Sequence, residues 1–184
     1  VHPQLLNPID HAQAVALCHD DGWVAQEKHD GERRPIEIKS GKVNGINKKG
    51  EYCGLVSDIA NGIDSSVDII FDTEDLRTRA AAFDLLEYNK KDLRQLPFIE
   101  RYSILEAIAN EHPALVVSPL AVTTEEKINL LAKMEHENRE GVVFKRANAH
   151  YVSGRPSSGG DQLKFKFYDE TSVIVSKVNA KRSV

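Results

Sequence analysis

Short apolar segments of strand length recur along the whole chain, and helix-length segments fall between them without a regular strand–helix alternation. The clearest strand signal is 36–46, in which Ile36 and Ile38 alternate with charged residues before a Ser40-Gly41 turn. An irregular mixture of strands and helices is typical of folds in which the sheets are not built from repeated parallel units. The pattern therefore predicts an α+β fold with antiparallel-rich sheets flanked by helices.

Four segments have the pattern of helices, one of them a short segment with apolar residues at 55, 59 and 63. Asp10 precedes another short one and can cap its first turn. The two longer ones are 96–112 and 123–138. The second opens with Thr123 three residues before Glu126, which is the pattern of a capping box.

Charge and cysteine content exclude several classes of protein. The net charge is −4, whereas a protein that only coats nucleic acid is normally basic, so any nucleic-acid contact must use a local concentration of cations. Two distant cysteines, Cys18 and Cys53, provide neither a disulfide framework nor a zinc signature. No apolar run is long enough to span a membrane, and residues 1–10 lack the features of a signal peptide. We therefore expect a cytoplasmic protein.

Charged residues on otherwise apolar strands mark four candidate places for chemistry, because a buried charge needs a partner or a function. They are Lys28 with Asp30, Gly31 and Arg33; Asp72 with Glu74; Glu140 with Lys145; and Lys164 with Lys166. Each has an ordinary alternative: a solvated lysine at a turn, edge carboxylates facing solvent, a charge at a helix end, and the wet face of a strand. None of the four decides a function by itself.

Taken together and in this order, the four segments resemble the adenylation domain of ATP-dependent DNA ligases, a branch of the covalent nucleotidyltransferases. The K-x-D-G-x-R motif of that family matches residues 28–33, and its acidic strand motif matches 72–75. The sequences EGVVFK and LKFK match its fourth and fifth motifs. Residues 82–106 favour DNA ligases over RNA ligases and capping enzymes. The resemblance covers essentially the whole chain.

The resemblance implies an ATP-grasp-like nucleotidyltransferase fold, with the adenylation domain over residues 1–172. Residues 173–184 would begin the connection to a C-terminal oligonucleotide-binding (OB-fold) barrel, which is absent from this chain. That barrel carries the motif that orients the leaving pyrophosphate, so this chain is expected to self-adenylate slowly and to seal nicks poorly. The implied partner is nicked double-stranded DNA, and the expected state is a monomer.

The implied reaction begins with attack of the motif lysine on the α-phosphorus of ATP, which leaves a lysine-AMP phosphoramidate and releases pyrophosphate. AMP then passes to the 5′-phosphate at a nick. A lysine amine must be deprotonated to attack, and a nearby divalent metal or cationic side chain favours that form. Hard oxygen ligands around phosphates indicate Mg²⁺.

The resemblance also implies a role for individual residues. Lys28 is the nucleophile, and Lys164 and Lys166 neutralise the α-phosphate. Arg33 reaches the ribose or the phosphates, Glu74 binds the ribose or a metal, and Glu140 helps to hold the metal. Phe83 stacks on adenine, and Gln26, with its neighbour Glu27, lies where the family reads the adenine edge, often with Glu. For Phe83, an ordinary core aromatic residue is the alternative.

The sequence departs from the family pattern in the acidic motif and, earlier in the chain, just after the hairpin at 36–46. Thr73 replaces the usual glycine, and Asp75 replaces an apolar residue, where it either adds a carboxylate or ends the strand. Lys48 stands near the place of a serine-arginine pair and offers a point charge for the nucleotide. Arg155 and His150, in a Gly- and Ser-rich loop, either contact a DNA backbone or are solvated.

Two other functions remain open at the level of sequence. An RNA-sealing or capping nucleotidyltransferase would share the first step with a DNA ligase. A nucleotide-binding module without turnover would keep the fold and lose the chemistry, although the intact Lys28, Glu74 and Glu140 argue against it.

Overall fold

A computed structural model describes residues 2–168 as two sheets with helices packed on them, which confirms the α+β fold class. The sequence also predicts a strand at 172–178; this segment and the expected domain boundary between 172 and 173 lie outside the described residues. Within 2–168, no helix combines the length and apolar character that a membrane span requires.

The α-helices of the described residues are α1 (His11–Cys18), α2 (Ser57–Asn61), α3 (Phe98–Ile108) and α4 (Thr124–His136). Side-chain caps begin α1 and α4. The side chains of Asp10 and Thr123 accept hydrogen bonds from the backbone N–H groups three residues later, and both capping boxes are complete. The capping box predicted for the last helix is therefore confirmed.

The strands are short, as the recurring apolar segments predict. They are β1 (Asn7–Pro8), β2 (Trp23–Lys28), β3 (Glu32–Arg33), β4 (Ile36–Lys39), β5 (Lys42–Ile46), β6 (Tyr52–Cys53), β7 (Ile69–Asp75), β8 (Ala80–Tyr88), β9 (Lys91–Asp92), β10 (Leu115–Val117), β11 (Gly141–Arg146) and β12 (Gln162–Lys166). The alternating Ile36 and Ile38 are both buried. Ser40 and Gly41 have φ values of 51° and 76°, which a tight hairpin turn requires.

Two sheets carry the fold. The first has the order β1-β12-β11-β2, and the second has the order β10-β8-β7-β4-β5-β6, with β3 beside β7 and β9 beside β8. The β1–β12 and β10–β8 pairs are parallel, whereas the β7–β8, β11–β12 and β11–β2 pairs are antiparallel. Helices α1 and α4 contact β2, and α3 contacts β8. One apolar cluster joins α1 and α4 to the first sheet, and another joins α3 to the second sheet and includes Val24 of β2.

The segment after β10 crosses from the second sheet to the first. The backbone N–H of Ser118 donates to the carbonyl of Ala82 in β8 at 2.8 Å. Three residues later, Ala121 exchanges two backbone hydrogen bonds with Ala25 of β2, at 2.9 and 2.8 Å. The crossing therefore holds Ser118 between the two sheets, beside the strand that ends in Lys28.

Candidate active site

A pocket opens between the two sheets. The lining residues come from the N-terminal segment, from β2, β11 and β12 of the first sheet, and from the facing β3, β7 and β8. They are Leu6, Gln26, Glu27, Lys28, His29, Arg33, Glu74, Phe83, Val143, Lys145, Gln162 and Lys164.

Strand register brings three charged residues together at one end of the pocket. In the first sheet, Gly141 lies opposite both Lys28 and Lys166. Glu140, just before Gly141, accepts a hydrogen bond from Lys28 Nζ on Oε2 at 2.5 Å and pairs with Lys166 Nζ through Oε1 at 2.7 Å. A Cβ at position 141 would lie 1.9 Å from the carbonyl oxygen of Phe165, so only glycine lets the strands approach this closely.

The two ammonium groups determine the charge of Glu140. Burial alone would raise the pKa of this carboxyl, but the hydrogen bonds from Lys166 and Lys28 outweigh burial and lower the pKa below its usual range. Glu140 is therefore an anion over the working pH range, and each of its oxygens holds one lysine.

Glu74 faces the same end of the pocket from β7. Burial raises the pKa of Glu74 to about 7, against the opposing effect of Arg33 and Lys28, and the charge of Glu140 adds to the rise. The carboxyl is therefore close to half-protonated at neutral pH. Such a carboxyl can bind a cation or a hydroxyl group readily, because little free energy is needed to remove its proton at neutral pH.

The Arg33 side chain is held in place by Asp72 of β7. Its Nε and Nη2 atoms donate to the two carboxylate oxygens of Asp72, at 2.7 and 2.5 Å. Tyr151 donates to the same carboxylate at 2.9 Å. The guanidinium carbon lies 4.7 Å from the centroid of the Phe83 ring, so this cation forms part of the pocket wall at a fixed position.

Lys145 is buried. It belongs to the motif EGVVFK, but the sequence indicates no role for it. It is 2% exposed, its Nζ donates to the carbonyl of Phe83 at 2.9 Å, and it lies 4.9 and 4.4 Å from the ring centroids of Phe83 and Phe98. Burial lowers its pKa to about 7. The alternation of β11, which points Val143 into the pocket, is the signal that could have assigned Lys145 to the same wall.

The free energy of unfolding should depend on pH because Lys145 is buried. Because the folded-state pKa is about 7 and the ordinary value is 10.5, the unfolded chain binds more protons between these limits, and stability should rise with pH across that window. Each pH unit contributes up to about 1.4 kcal/mol. Urea unfolding at pH 7, 8 and 9 should show that the rise is lost in Lys145→Met and kept in Lys42→Met, which removes an exposed lysine of β5. Equal slopes in the wild type and Lys145→Met would contradict the assignment.

Gln26 points a polar group into the pocket from β2. It is 1% exposed, and its Nε2 donates to the carbonyl of Ser118 at 3.0 Å. Its Oε1 is buried and has no hydrogen-bond partner among residues 2–168. The Ser118 hydroxyl contacts Nε2 of His29 at 2.5 Å. Ser118 therefore contacts one residue before Lys28 in the sequence and one residue after it. Sequence reasoning missed Ser118 because it belongs to none of the charged motifs.

Comparison with known proteins agrees with this geometry. A profile described as "ATP dependent DNA ligase domain" matches residues 56–166, which is more than half of the 184 residues. The chain belongs to the ATP-dependent DNA ligase domain family. The match includes Glu74, Phe83, Glu140 and the two lysines of β12, whereas Lys28 lies before it.

Individual relatives of this ligase-family chain are distant. A DNA ligase of Methanococcus aeolicus is 28% identical over 179 residues, which are 95% of this chain and 28% of that protein. A mycobacterial DNA ligase D, solved with ATP and MES, superposes with a TM-score of 0.70 at 21% identity, over 92% of this chain and 61% of that one. An archaeal ATP-dependent RNA ligase gives 0.60 at 18% identity, over 88% and 47%. The chain thus spans less than two thirds of these relatives, and the structural likenesses show the fold.

The ligase-family chain gathers most of the residues predicted for the site. Gln26, Glu27, Lys28, Arg33, Glu74, Phe83 and Lys164 line the pocket, and Glu140 and Lys166 form the ion pairs at its end. Phe83 is only partly buried, so it is a wall residue and not a closed core aromatic. Lys48 lies exposed in the turn between β5 and β6 and does not line the pocket, so its proposed contact with the nucleotide remains a prediction.

The two unusual residues of the acidic motif have structural contacts outside the pocket. The hydroxyl of Thr73 donates to the carbonyl of Arg34 at 2.5 Å. Asp75 is the last residue of β7, and its carboxylate accepts a hydrogen bond from the backbone N–H of Arg77 at 2.7 Å. Of the two alternatives stated for Asp75, its position corresponds to ending the strand.

The carboxylates fit a magnesium ion that is shared with phosphates better than a metal held by protein alone. Among residues 2–168, no group of three or more His, Cys, Asp or Glu side chains is placed to hold a metal ion. Glu74 and Glu140 are close enough for the charge of one to raise the pKa of the other. Mg²⁺ commonly takes one or two carboxylates and completes its shell with phosphate oxygens and waters.

Proposed function

We propose that this chain carries out the adenylation step of ATP-dependent DNA ligation. The Lys28 amine attacks the α-phosphorus of ATP, a P–N bond forms, the bond to the pyrophosphate oxygen breaks, and pyrophosphate leaves. The observation that carries this proposal is the junction of Lys28, Glu140 and Lys166 at the open end of the pocket, within a chain of the DNA ligase domain family.

The pocket supports one orientation of the nucleotide. Phe83 and the aliphatic side chain of Val143 line it, and a purine placed against them would use the ring face of Phe83. The phosphates would then point toward Lys28 and Lys164. Burial lowers the pKa of Lys164, and the charges of Arg155, Lys28 and Lys166 lower it further, against the opposing effect of Glu140. An α-phosphate placed here would neutralise these cations.

Lys28 has to lose a proton before it attacks. In the ligand-free arrangement its Nζ donates to Glu140 at 2.5 Å, so the lone pair is engaged in an N–H bond. Lys166 holds the other oxygen of Glu140 and keeps the carboxylate in place while Lys28 turns toward the phosphate. The charge of Lys28 acts on Glu74, so the two side chains lie near each other, and a cation bound at Glu74 would favour the neutral amine of Lys28. A Mg²⁺ ion held by Glu74, Glu140 and the phosphates would supply charge neutralisation for pyrophosphate departure.

The second part of the proposal is transfer of AMP to the 5′-phosphate at a nick in double-stranded DNA. Arg155 is exposed, and its Nη1 donates at 2.9 Å to the carbonyl of Leu6, a residue that lines the pocket. Its charge acts on Lys164, which places it near the cations of the pocket. We assign Arg155 to the DNA backbone, because an exposed arginine beside a phosphate site can neutralise a second phosphate.

An intact-mass measurement tests the adenylation step. After incubation with ATP and Mg²⁺, and with pyrophosphatase to remove the product, the chain is expected to gain the mass of one AMP, and peptide mapping should place it on Lys28. Addition of a nicked DNA duplex should remove the adduct, whereas a nicked RNA duplex should leave it in place. Absence of the adduct over a range of ATP and Mg²⁺ concentrations would refute catalysis, and faster discharge on RNA would favour an RNA ligase.

A further inference from the structure

Strand β2 is the last strand of its sheet, and one of its edges has little backbone support beside Lys28. On the other edge, Lys28 lies opposite Gly141 of β11. On the weakly supported edge, residues 2–168 provide a single antiparallel bridge, between Ala25 and Ala121. Three residues from Ala121 in this register, Ser118 corresponds to Lys28. Ser118 is therefore placed to support this edge of β2 at the lysine.

The imidazole of His29 makes that contact with Ser118. Its Nε2 lies 2.5 Å from the Ser118 hydroxyl oxygen, and its Nδ1 lies 3.5 Å from Oε1 of Glu27. Burial lowers the pKa of His29, and the charges of Arg139 and Lys28 act in the same direction against Glu27, so the ring is neutral at neutral pH. Because a carboxylate only accepts, the ring proton belongs on Nδ1, and Nε2 accepts from the Ser118 hydroxyl.

Ser118 is a rigid partner for this imidazole. Its backbone N–H donates to the carbonyl of Ala82 in β8 at 2.8 Å, and its carbonyl accepts from the hydroxyl of Tyr102 in α3 at 2.8 Å. The serine is 1% exposed. The contact with His29 therefore ties the residue that follows Lys28 to the second sheet and to the helix packed on it.

This tie matters because the ion pair with Glu140 cannot position Lys28 during the reaction. The pair holds Nζ in the ligand-free arrangement, and it must open when the amine turns toward a phosphate. The reach of the amine then depends on where the backbone of Lys28 lies. Lys28 is the last residue of β2, so its backbone is held less firmly than the interior of the strand. A misplacement of about 1 Å can reduce the rate of a reaction about a hundredfold.

We propose that His29 is a positioning residue of the adenylation step, which fixes the backbone of Lys28 through its hydrogen bond with the Ser118 hydroxyl. The inference rests on the proposed function and adds to it a residue that acts through the nucleophile. The second position of the K-x-D-G-x-R motif is open, so the motif itself implies no role for His29. A histidine that only filled space would not need the hydroxyl of Ser118.

The time course of AMP addition, followed by intact mass over a range of ATP concentrations, tests the proposal. His29→Leu and Ser118→Ala should each lower the rate at saturating ATP at least about tenfold. The half-saturating ATP concentration should stay within about threefold, because the nucleotide contacts are unchanged. The double variant should be no slower than the slower single variant, since both changes remove the same hydrogen bond. His19→Leu makes the same exchange at an exposed position and should react like the wild type.

Two amides at position 29 separate the hydrogen bond from packing. The amide of His29→Gln reaches the place of Nε2 and should restore the rate to within about threefold of the wild type, whereas the amide of His29→Asn reaches only the place of Nδ1 and should stay slow. An unchanged saturating rate in Ser118→Ala, or losses that multiply in the double variant, would overturn the inference and leave adenylation standing. A wild-type chain that gains no AMP would overturn the proposed function and this inference with it.

Discussion

The Lys28→Arg variant is expected to gain no AMP under conditions in which the wild-type chain is adenylated. Arginine keeps the positive charge and can keep the ion pair with Glu140, which in the wild type is 2.5 Å long. Its guanidinium stays protonated at any pH that proteins tolerate and offers no lone pair to phosphorus. The loss should therefore be complete, and intact mass after incubation with ATP and Mg²⁺ measures it.

A matched control separates chemistry from folding. Lys42→Arg makes the same exchange at an exposed position of β5 and should be adenylated like the wild type. ATP binding by Lys28→Arg, measured in EDTA, should stay within about an order of magnitude, because the charge at the pocket end is unchanged. An AMP adduct on the Lys28→Arg chain would show that another residue is the nucleophile.

The residues at the Lys28 end of the pocket could be predicted because they follow from strand register and motif order. Lys28 ends β2, Glu140 precedes β11, and Lys166 ends β12, so three adjacent strands in register must bring them together. Alternation along β11 and β12 then points Val143 and Lys164 to the same face. Each motif is a short sequence pattern, and alternation along a strand determines which of its side chains share a face.

The partners of the buried charges could not be predicted, because they depend on contacts between distant segments. Arg33 was expected to reach the nucleotide, but its Nε and Nη2 are used by Asp72, 39 residues away. Lys127 lies on a helix whose sequence is rich in charge, yet it is fully buried, and its Nζ donates to the carbonyls of Asp20 and Trp23 at 2.7 and 2.8 Å. A spacing of two helical turns places this lysine on the same face of α4 as the buried methionine. Which carbonyls accept from its Nζ depends on the packing of α4 against the start of β2.

Stability should depend most strongly on the buried pair of Arg101 and Asp84. Both residues are 0% exposed, and two parallel hydrogen bonds of 2.8 Å join the guanidinium to the carboxylate. A third nitrogen of Arg101 donates to the carbonyls of Leu96 and Ala149, at 2.6 and 3.1 Å. Replacement of Arg101 by Met leaves a buried carboxylate and two carbonyls without these donors. We expect a loss of about 3–5 kcal/mol in the free energy of unfolding, measured by urea denaturation.

Two further variants show whether that loss comes from the unpaired charge. Lys133→Met removes an exposed cation that lies 4.0 Å from Glu137 on the surface of α4, and it should cost less than about 1 kcal/mol. Asp84→Leu combined with Arg101→Met removes both charges and should recover much of the stability, because an apolar pair needs no partner for a buried ion. If the double variant were as unstable as Arg101→Met, the loss would come from the carbonyls of Leu96 and Ala149. Since Asp84 follows Phe83, the single variant should also weaken ATP binding, whereas Lys133→Met should not.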